Sequence, residues 1–438
     1  MRQKAVIGLT GLVVCTIAWS NTSTQCRWHI APPLAQQERM ECPLPLGDPQ
    51  KAGDNVDPWT HELSCVYARS EQGTPSGQAK AAYCLFAHHT FRGNHGLSIT
   101  TSPEIAADIV ASGALEDMED SWDWERRIFT PGPVVTDKGP SYAVRDLPGR
   151  GKGVIAQRTI RQGEILMLDH PAVLVASDFS SQMQPEMRET FFRRALSQLP
   201  RDTQKRLVNL ARSDGADPLT PVYDIVTTNT CGVFLGDNVA HIGLFPEVSR
   251  LNHACKPNAF FRFSQRTLTM QVIAYRDIHA GEEITINYAP LGMPHKVRKK
   301  YLFDNYGFHC RCSLCQSSPE DRAISDARRM RIVEVRGNMR KAHEKGKLSD
   351  AITYAEELLS LSEAEGLTPL MHEYHEILAS IYLEQLDIPN ARKYGQMTLD
   401  GWIRFKSVDS FHVEAVRGFM RQIDHVEEML RETKGVYS

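Results

Sequence analysis

A chain of 438 residues is too long for one compact core and calls for two or three domains. Its 42% hydrophobic and 24% charged content is ordinary for a globular soluble protein. A net charge of −3 leaves no electrostatic footprint for nucleic acid, so no direct nucleic-acid binding is expected. The one basic run, Lys296, Arg298, Lys299 and Lys300, sits at helical spacing and is read as a solvated helix face.

Residues 1–20 have the pattern of a secretory signal peptide. Arg2 and Lys4 precede an uncharged stretch from Ala5 to Trp19, too short for a stable membrane span. Residues 21–135 are read as a loop-rich region. Cys15 falls in the signal segment, and Cys26, Cys42, Cys65 and Cys84 are spaced too widely for a zinc site. Behind a signal peptide they imply two disulfides, with three pairings open. Ser102 is placed to cap a helix starting at Pro103, with Ile105, Ile109 and Val110 facing inward.

Short strands separated by Gly and Pro turns follow at Tyr142–Leu147, Gly153–Ala156, Ile165–Leu168 and Ala172–Val175. The β pattern breaks at 185–213. There Phe191, Phe192, Ala195, Leu196 and Leu199 repeat at helical spacing, and Pro200 opens a second helix with Leu207 and Leu210. Strands resume at Ala259–Phe263, Leu268–Tyr275 and Glu283–Asn287, and a helix from Pro294 to Asn305 follows. Cys231 stands alone and reads as a small buried apolar residue. Beyond residue 320 the chain is nearly all helix. Apolar faces recur at Asp350, Ala351, Tyr354, Ala355 and Leu358, at Leu378, Ala379, Tyr382 and Leu386, and at Ala391, Tyr394 and Met397. Small residues alternating with tyrosines at these offsets are similar to tetratricopeptide (TPR) helix pairs.

Four elements carry chemistry. The first is Gly149-Arg150-Gly151-Lys152-Gly153, where glycines at a strand edge let backbone approach a ligand. It lacks the dinucleotide-binding spacing. The second, Asn252-His253-Ala254-Cys255-Lys256-Pro257-Asn258, sets an amide, an imidazole and a thiol together. A thiol-hydrolase reading is set aside on the expectation that His253 and Cys255 point apart on an extended segment. The third is Glu283-Ile284-Thr285-Ile286-Asn287-Tyr288, a strand ending in tyrosine. The fourth holds Phe308, Cys310, Cys312 and Cys315, three cysteines packed closely enough to be thiolate ligands; Cys255 is the natural fourth for a closed structural zinc site.

In this order the four elements resemble the SET-domain family of protein lysine methyltransferases. The helical insertion and helical C-terminus are most similar to the SMYD-type branch and to fungal SET domain-containing proteins. The MYND zinc finger of that branch is absent, since no run of paired cysteines and histidines occurs between 176 and 228. The resemblance implies an α+β fold: a SET β-fold of small sheets with a pseudoknot-like core at 141–290, interrupted by a helical insertion at about 178–228. A post-SET zinc segment at 291–318 and an all-α TPR-like domain at 320–438 complete it.

The implied activity is S-adenosylmethionine-dependent protein-lysine N-methylation. The alternative is a SET-fold interaction protein that binds a peptide or protein partner through its C-terminal helices. By resemblance, Gly151, Lys152 and Gly153 line the methionine part of S-adenosylmethionine. Asn252 and His253, assisted by Asn229, hold its adenine and amino groups. Phe308 stacks on the adenine, and Tyr288 sits beside the methyl group as the catalytic residue. Cys255, Cys310, Cys312 and Cys315 hold the structural zinc, and the substrate is a protein lysine. The signal segment implies the secretory pathway or the cell exterior, whereas the family implies cytoplasm or nucleus. Ala254 and Asn287 depart from the family's commoner serine and acidic residue, and neither is assigned a role.

Overall fold

The computed structural model describes residues 58–67, 81–116, 132–136, 138–179, 185–213, 217–236 and 239–435. The expected signal segment, Cys26 and Cys42 lie outside the described residues. Among the described residues, no helix is long and apolar enough to cross a membrane.

The first departure from expectation is in the N-terminal region. Instead of loops alone it contributes β1 (Ser64–Tyr67), β2 (Ala81–His88) and β3 (Leu97–Thr101). Residues 84–87 and all of β3 are buried, so neither run shows the in–out alternation that marks a half-exposed strand. Cys65 lies opposite Cys84 across the β1–β2 pair and is joined to it by a disulfide, which settles the partner of each. A short turn, α1 (Phe91–Asn94), precedes β3, and α2 (Pro103–Ala111) follows it. Helix α2 starts as expected. Ser102 accepts the Ile105 N–H, Pro103 occupies the first turn, and Ile105 and Ile109 are buried. Val110, expected to face inward, is 38% exposed, because it follows Ile109 by a single residue and rotates off the buried stripe.

Two-residue strands β4 (Gly132–Pro133), β5 (Val135–Thr136) and β6 (Gly139–Pro140) lead into β7 (Tyr142–Leu147), β8 (Gly151–Ala156), β9 (Ile165–Asp169) and β10 (Val173–Ala176). Three helices then intervene: α3 (Pro185–Ser197), α4 (Arg201–Val208) and α5 (Pro221–Asn229). Phe191, Phe192, Leu196 and Leu207 from these helices form a core with Phe179 and the outer face of β10. Strands β11 (Thr230–Leu235), β12 (Val239–Leu244), β13 (Asn252–His253), β14 (Ala259–Ser264), β15 (Thr269–Ala274) and β16 (Glu283–Ile286) follow. The first two were not anticipated: each is six residues long and interrupted by glycine, which weakens the strand signal.

Among the described residues three larger sheets result, beside the two-stranded β5–β6 pair. The largest has the order β1-β2-β3-β10-β12-β11, with β3 parallel to β10. The others have the orders β13-β16-β8-β7 and β14-β15-β9-β4. Ile99, Val154, Leu166, Val272 and Ile284, drawn from all three sheets, close a common core.

After α6 (His295–Tyr306) and α7 (Ser313–Gln316) come five longer helices: α8 (Pro319–Glu344), α9 (Leu348–Glu365), α10 (Met371–Glu384), α11 (Ile388–Lys406) and α12 (Phe411–Gly435). Each packs mainly on its chain neighbours. Ala351, Ala355, Leu358, Leu378, Ala379 and Ala391 are buried as the helical spacing requires. Asp350, Leu386 and Met397, assigned to the same faces, are exposed. Leu386 lies past the end of α10 with φ +58. The helical unit docks on the β14–β15 hairpin. Phe405 packs on Phe260 at 4.8 Å, the Asp409 carboxylate accepts from Ser264 Oγ at 2.8 Å, and Tyr275 donates to the Gly366 carbonyl at 2.9 Å.

Two outcomes are expected. Removing the disulfide in a Cys65→Ala, Cys84→Ala variant frees a short loop of the unfolded chain, and urea titration should record a loss of about 3 kcal/mol. The second concerns pH. Burial pushes the imidazoles of His95 and His372 down to about 3 from 6.5, so both stay neutral when folded and take up a proton on unfolding. Their stabilising contribution is complete above about pH 6.5 and is lost as pH falls toward 3, at about 1.4 kcal/mol per unit for each group. Unfolding free energies that stayed level from about pH 7 to about pH 4 would contradict this.

Candidate active site and four-cysteine centre

Gly153 lies close under its neighbours' side chains. A Cβ there would stand 2.3 Å from Leu147 Cδ1 and 2.9 Å from Asn252 Nδ2. This close approach lets Asn252 donate to the Lys152 carbonyl at 3.2 Å and to Glu283 Oε1 at 3.0 Å. The glycine motif and the Asn-His motif are thereby fastened together. Gly151 takes φ +66 with open space beside its Cα. The Lys152 ammonium turns outward to Asp146 at 2.9 Å, so what Lys152 offers inward is its main chain. Arg150 pairs with Glu283 and also donates to the His253 carbonyl at 3.2 Å.

His253 is buried, and its ring makes two contacts. Nδ1 accepts the Tyr288 N–H at 3.0 Å, which leaves Nε2 to carry the proton toward Cys255 Sγ at 3.2 Å. Burial pushes this imidazole down to about 4, so it is neutral. The expectation that His253 and Cys255 point apart is corrected here. They are two residues apart on an extended segment and therefore share a face. The thiol still does not have the setting of a nucleophile, because it is buried among three other cysteines.

Tyr288 leaves the end of β16 and donates its hydroxyl to the Leu251 carbonyl at 2.5 Å. Its ring centroid lies 5.4 Å from His253, 5.1 Å from Tyr306 and 6.3 Å from Phe308. Burial raises the Tyr288 phenol well above its ordinary range and that of Tyr306 up to about 12, so both keep their protons at neutral pH. Phe308 reaches this group because Gly307, at φ +73, ends α6 with a sharp turn. Asn229 stands at the end of α5 and donates to the carbonyls of Ala211 and Ile225 at 2.7 and 2.8 Å. Its own carbonyl accepts from Ser249 Oγ at 2.9 Å, three residues before Asn252.

Two residues here escaped the sequence reading. Tyr306 carries no role in the sequence reading, lying one residue past the expected helix end at Asn305, although an aromatic just before Gly307-Phe308 is a usable signal. Asp169 is wholly buried, and its Oδ2 accepts the N–H groups of Glu247 and Val248 at 2.6 and 3.0 Å, fixing the turn that precedes Asn252. Burial pushes its carboxyl up to about 7. An acid closing an otherwise apolar strand was the clue.

The Sγ atoms of Cys255, Cys310, Cys312 and Cys315 all lie within 4.8 Å of one another. Cys255 stands 3.8 Å from Cys310 and 3.6 Å from Cys315. Four sulfurs at about 2.3 Å from a tetrahedral zinc are about 3.8 Å apart, so this donor set fits that ion. These separations are far too long for disulfides. Cys231 is outside the group; it packs on the main core and burial pushes its thiol up to about 12, which suits an inert residue.

Residues 151–289 match the SET domain family. The histone-lysine N-methyltransferase set5 of Schizosaccharomyces pombe is 34% identical over 198 residues, 44% of this chain and 56% of that protein. The human histone-lysine N-methyltransferase SMYD3 is 36% identical over 103 residues, 24% of each chain. The mouse N-lysine methyltransferase SMYD2 is 24% identical over 199 residues, 41% of this chain and 45% of that one. The matched part thus spans about half or less of these relatives. Sheets, motifs and comparisons agree that residues 151–289 form a SET domain, similar to those of the lysine methyltransferases named above.

The Gly153 contacts yield a direct check. Gly153→Ala should force Leu147 and Asn252 apart and cost about 1–3 kcal/mol, read as a lower melting temperature. An unchanged melting curve would mean that the Leu147 and Asn252 side chains move aside at little cost.

Proposed function

We propose that the protein is an S-adenosylmethionine-dependent protein-lysine N-methyltransferase. The observation that carries this reading is Tyr288, its hydroxyl held by the Leu251 carbonyl between the Asn252-His253 strand and the Tyr306–Phe308 aromatics. The methyltransferase names of the relatives favour it over a purely interacting SET fold.

When bound, the cofactor supplies a methyl group on a sulfonium. The main chain of Gly151, Lys152 and Gly153 would line its methionine part, and Asn252, His253 and Asn229 would hold its adenine and amino ends. The His253 and Asn229 side chains are committed elsewhere, so these two residues would act through backbone groups. Phe308 would stack on the adenine.

A substrate lysine must lose its proton before it attacks. From a pKa of about 10.4 to pH 7 that costs roughly 4.6 kcal/mol. An aromatic setting that excludes water, beside a cationic cofactor, lowers the lysine pKa through desolvation and like-charge repulsion. Tyr288, kept protonated by burial, would orient the amine, and alignment of this kind is worth about 7–11 kcal/mol. The four cysteines would hold a structural zinc whose tetrahedral shell they fill, closing the chain over the site. The helical unit, docked on β14 and β15, would wall the substrate's approach. The Cys65–Cys84 disulfide supports passage through an oxidising compartment, as the secretory reading of residues 1–20 requires.

The test is methyl transfer from labelled S-adenosylmethionine into a proteome lysate. Label should appear on lysines, and Tyr288→Phe should cut it by about 10²-fold while calorimetry still records cofactor binding. Equal labelling by the variant would remove Tyr288 from the mechanism. Failure to bind cofactor would remove the activity.

A further inference from the structure

The basic run on α6 is not the uniformly solvated face its spacing suggests. Lys296, Lys299 and Lys300 are exposed, but Arg298 is 2% exposed. Its Nη1 donates to the Met293 carbonyl at 2.5 Å, just ahead of the helix. Arg329 of α8, 1% exposed, donates to the same oxygen at 3.3 Å through its own Nη1. Asp326, also on α8, accepts the His295 N–H, the first of α6, at 2.7 Å through Oδ1. Positions 326 and 329 share a face of α8, which therefore holds the start of α6 by a carbonyl and by an amide. A carboxylate suits that place, because the first amides of a helix have no partner within it.

Arg329 is itself fixed from behind. Its Nε donates to Glu365 Oε2 at 3.0 Å, and Ser325 Oγ donates to that same oxygen at 2.7 Å. Glu365, at the end of α9, is wholly buried. Taking two charges out of water costs several kcal/mol per ion, so such a pair adds little net stability. What it supplies is a guanidinium with one direction open to it. On the other side, the Met293 side chain belongs to an apolar cluster with Ala289 and Leu302, against which Tyr288, Tyr306 and Phe308 all pack. The segment gripped by α8 thus carries both aromatic limbs of the site, Tyr288 just before it and Tyr306 with Phe308 at the far end of α6. Helix α6 has 12 residues and is about 18 Å long, so a tilt of about 5° at its start moves that far end by roughly 1.5 Å.

We propose that Arg329 is a positioning residue for methyl transfer, supported by Glu365 and Asp326: through Met293 and α6 it sets where Tyr306 and Phe308 stand against Tyr288. The helical unit then acts on the chemistry from behind the aromatic group, and not only along the substrate's approach. A misplacement of about 1 Å at a reacting centre can cost about 10²-fold in rate. This rests on the methyltransferase reading above, including its placing of Phe308 on the adenine.

Initial rates of methyl transfer into the lysate are measured on the full chain at varied S-adenosylmethionine and normalised to folded protein. Arg329→Met should raise the half-saturating cofactor concentration about threefold or more, by displacing Phe308, and lower the maximal rate about tenfold. A variant that had only lost folded protein would keep the wild-type half-saturation. Arg329→Lys, which keeps the charge beside Glu365, should recover part of both effects. Arg331→Met, which breaks a partly exposed Arg331–Glu357 pair on the same helix α8, should change neither. Wild-type half-saturation in Arg329→Met overturns the proposal, whatever the maximal rate. If that variant does not fold, Asp326→Ala, at a half-buried position, replaces it: a raised half-saturation supports the link and an unchanged one overturns it. A wild-type chain that transfers no methyl group removes the methyltransferase reading and this inference together. An active wild type with indifferent variants removes the inference alone.

Discussion

The His253 imidazole joins two parts of the site that lie far apart in sequence. One nitrogen takes the backbone N–H of Tyr288, and the other faces the thiol of Cys255. A neutral ring with one acceptor and one donor meets both demands, and its burial keeps it neutral. The end of β16 is thus held against the cysteine cluster, and the aromatic group around Tyr288 inherits its position from that contact. Short parallel pairing of Asn252 with Thr285 and of His253 with Ile286 keeps the two strands in step.

Much of the site could be seen in the chain because its residues fall in compact runs. Gly151 to Gly153, Asn252 to Cys255, and Phe308 to Cys315 are each local patterns whose side-chain chemistry limits what they can do. What escaped was non-local. Asp169 acts on a turn nearly eighty residues away, and only the fold brings its carboxylate to the Glu247 and Val248 amides. Arg298 looked like one member of a solvated run, since helical spacing alone does not say which lysine or arginine turns inward.

The fold was legible where periodicity was strong. Strand β7 fell on the expected residues, and the insertion helices followed their phenylalanine and leucine spacing. Periodicity failed at opposite extremes. Strands β2 and β3 are buried on both faces and lose their alternation, while β11 and β12 are diluted by glycine.

The parallel pairing of β3 with β10 has a practical meaning for what counts as one folding unit. Strand β3 lies inside the six-stranded sheet, between β2 and β10. Its partner Val173–Ala176 is apolar and buried at every position. A fragment cut to the span of the SET match would lose β3 and bare a flat, uncharged edge, the kind that recruits strands from other molecules. The stretch that matches the SET family is therefore smaller than the sheet it helps to build, which also takes in β1, β2 and β3.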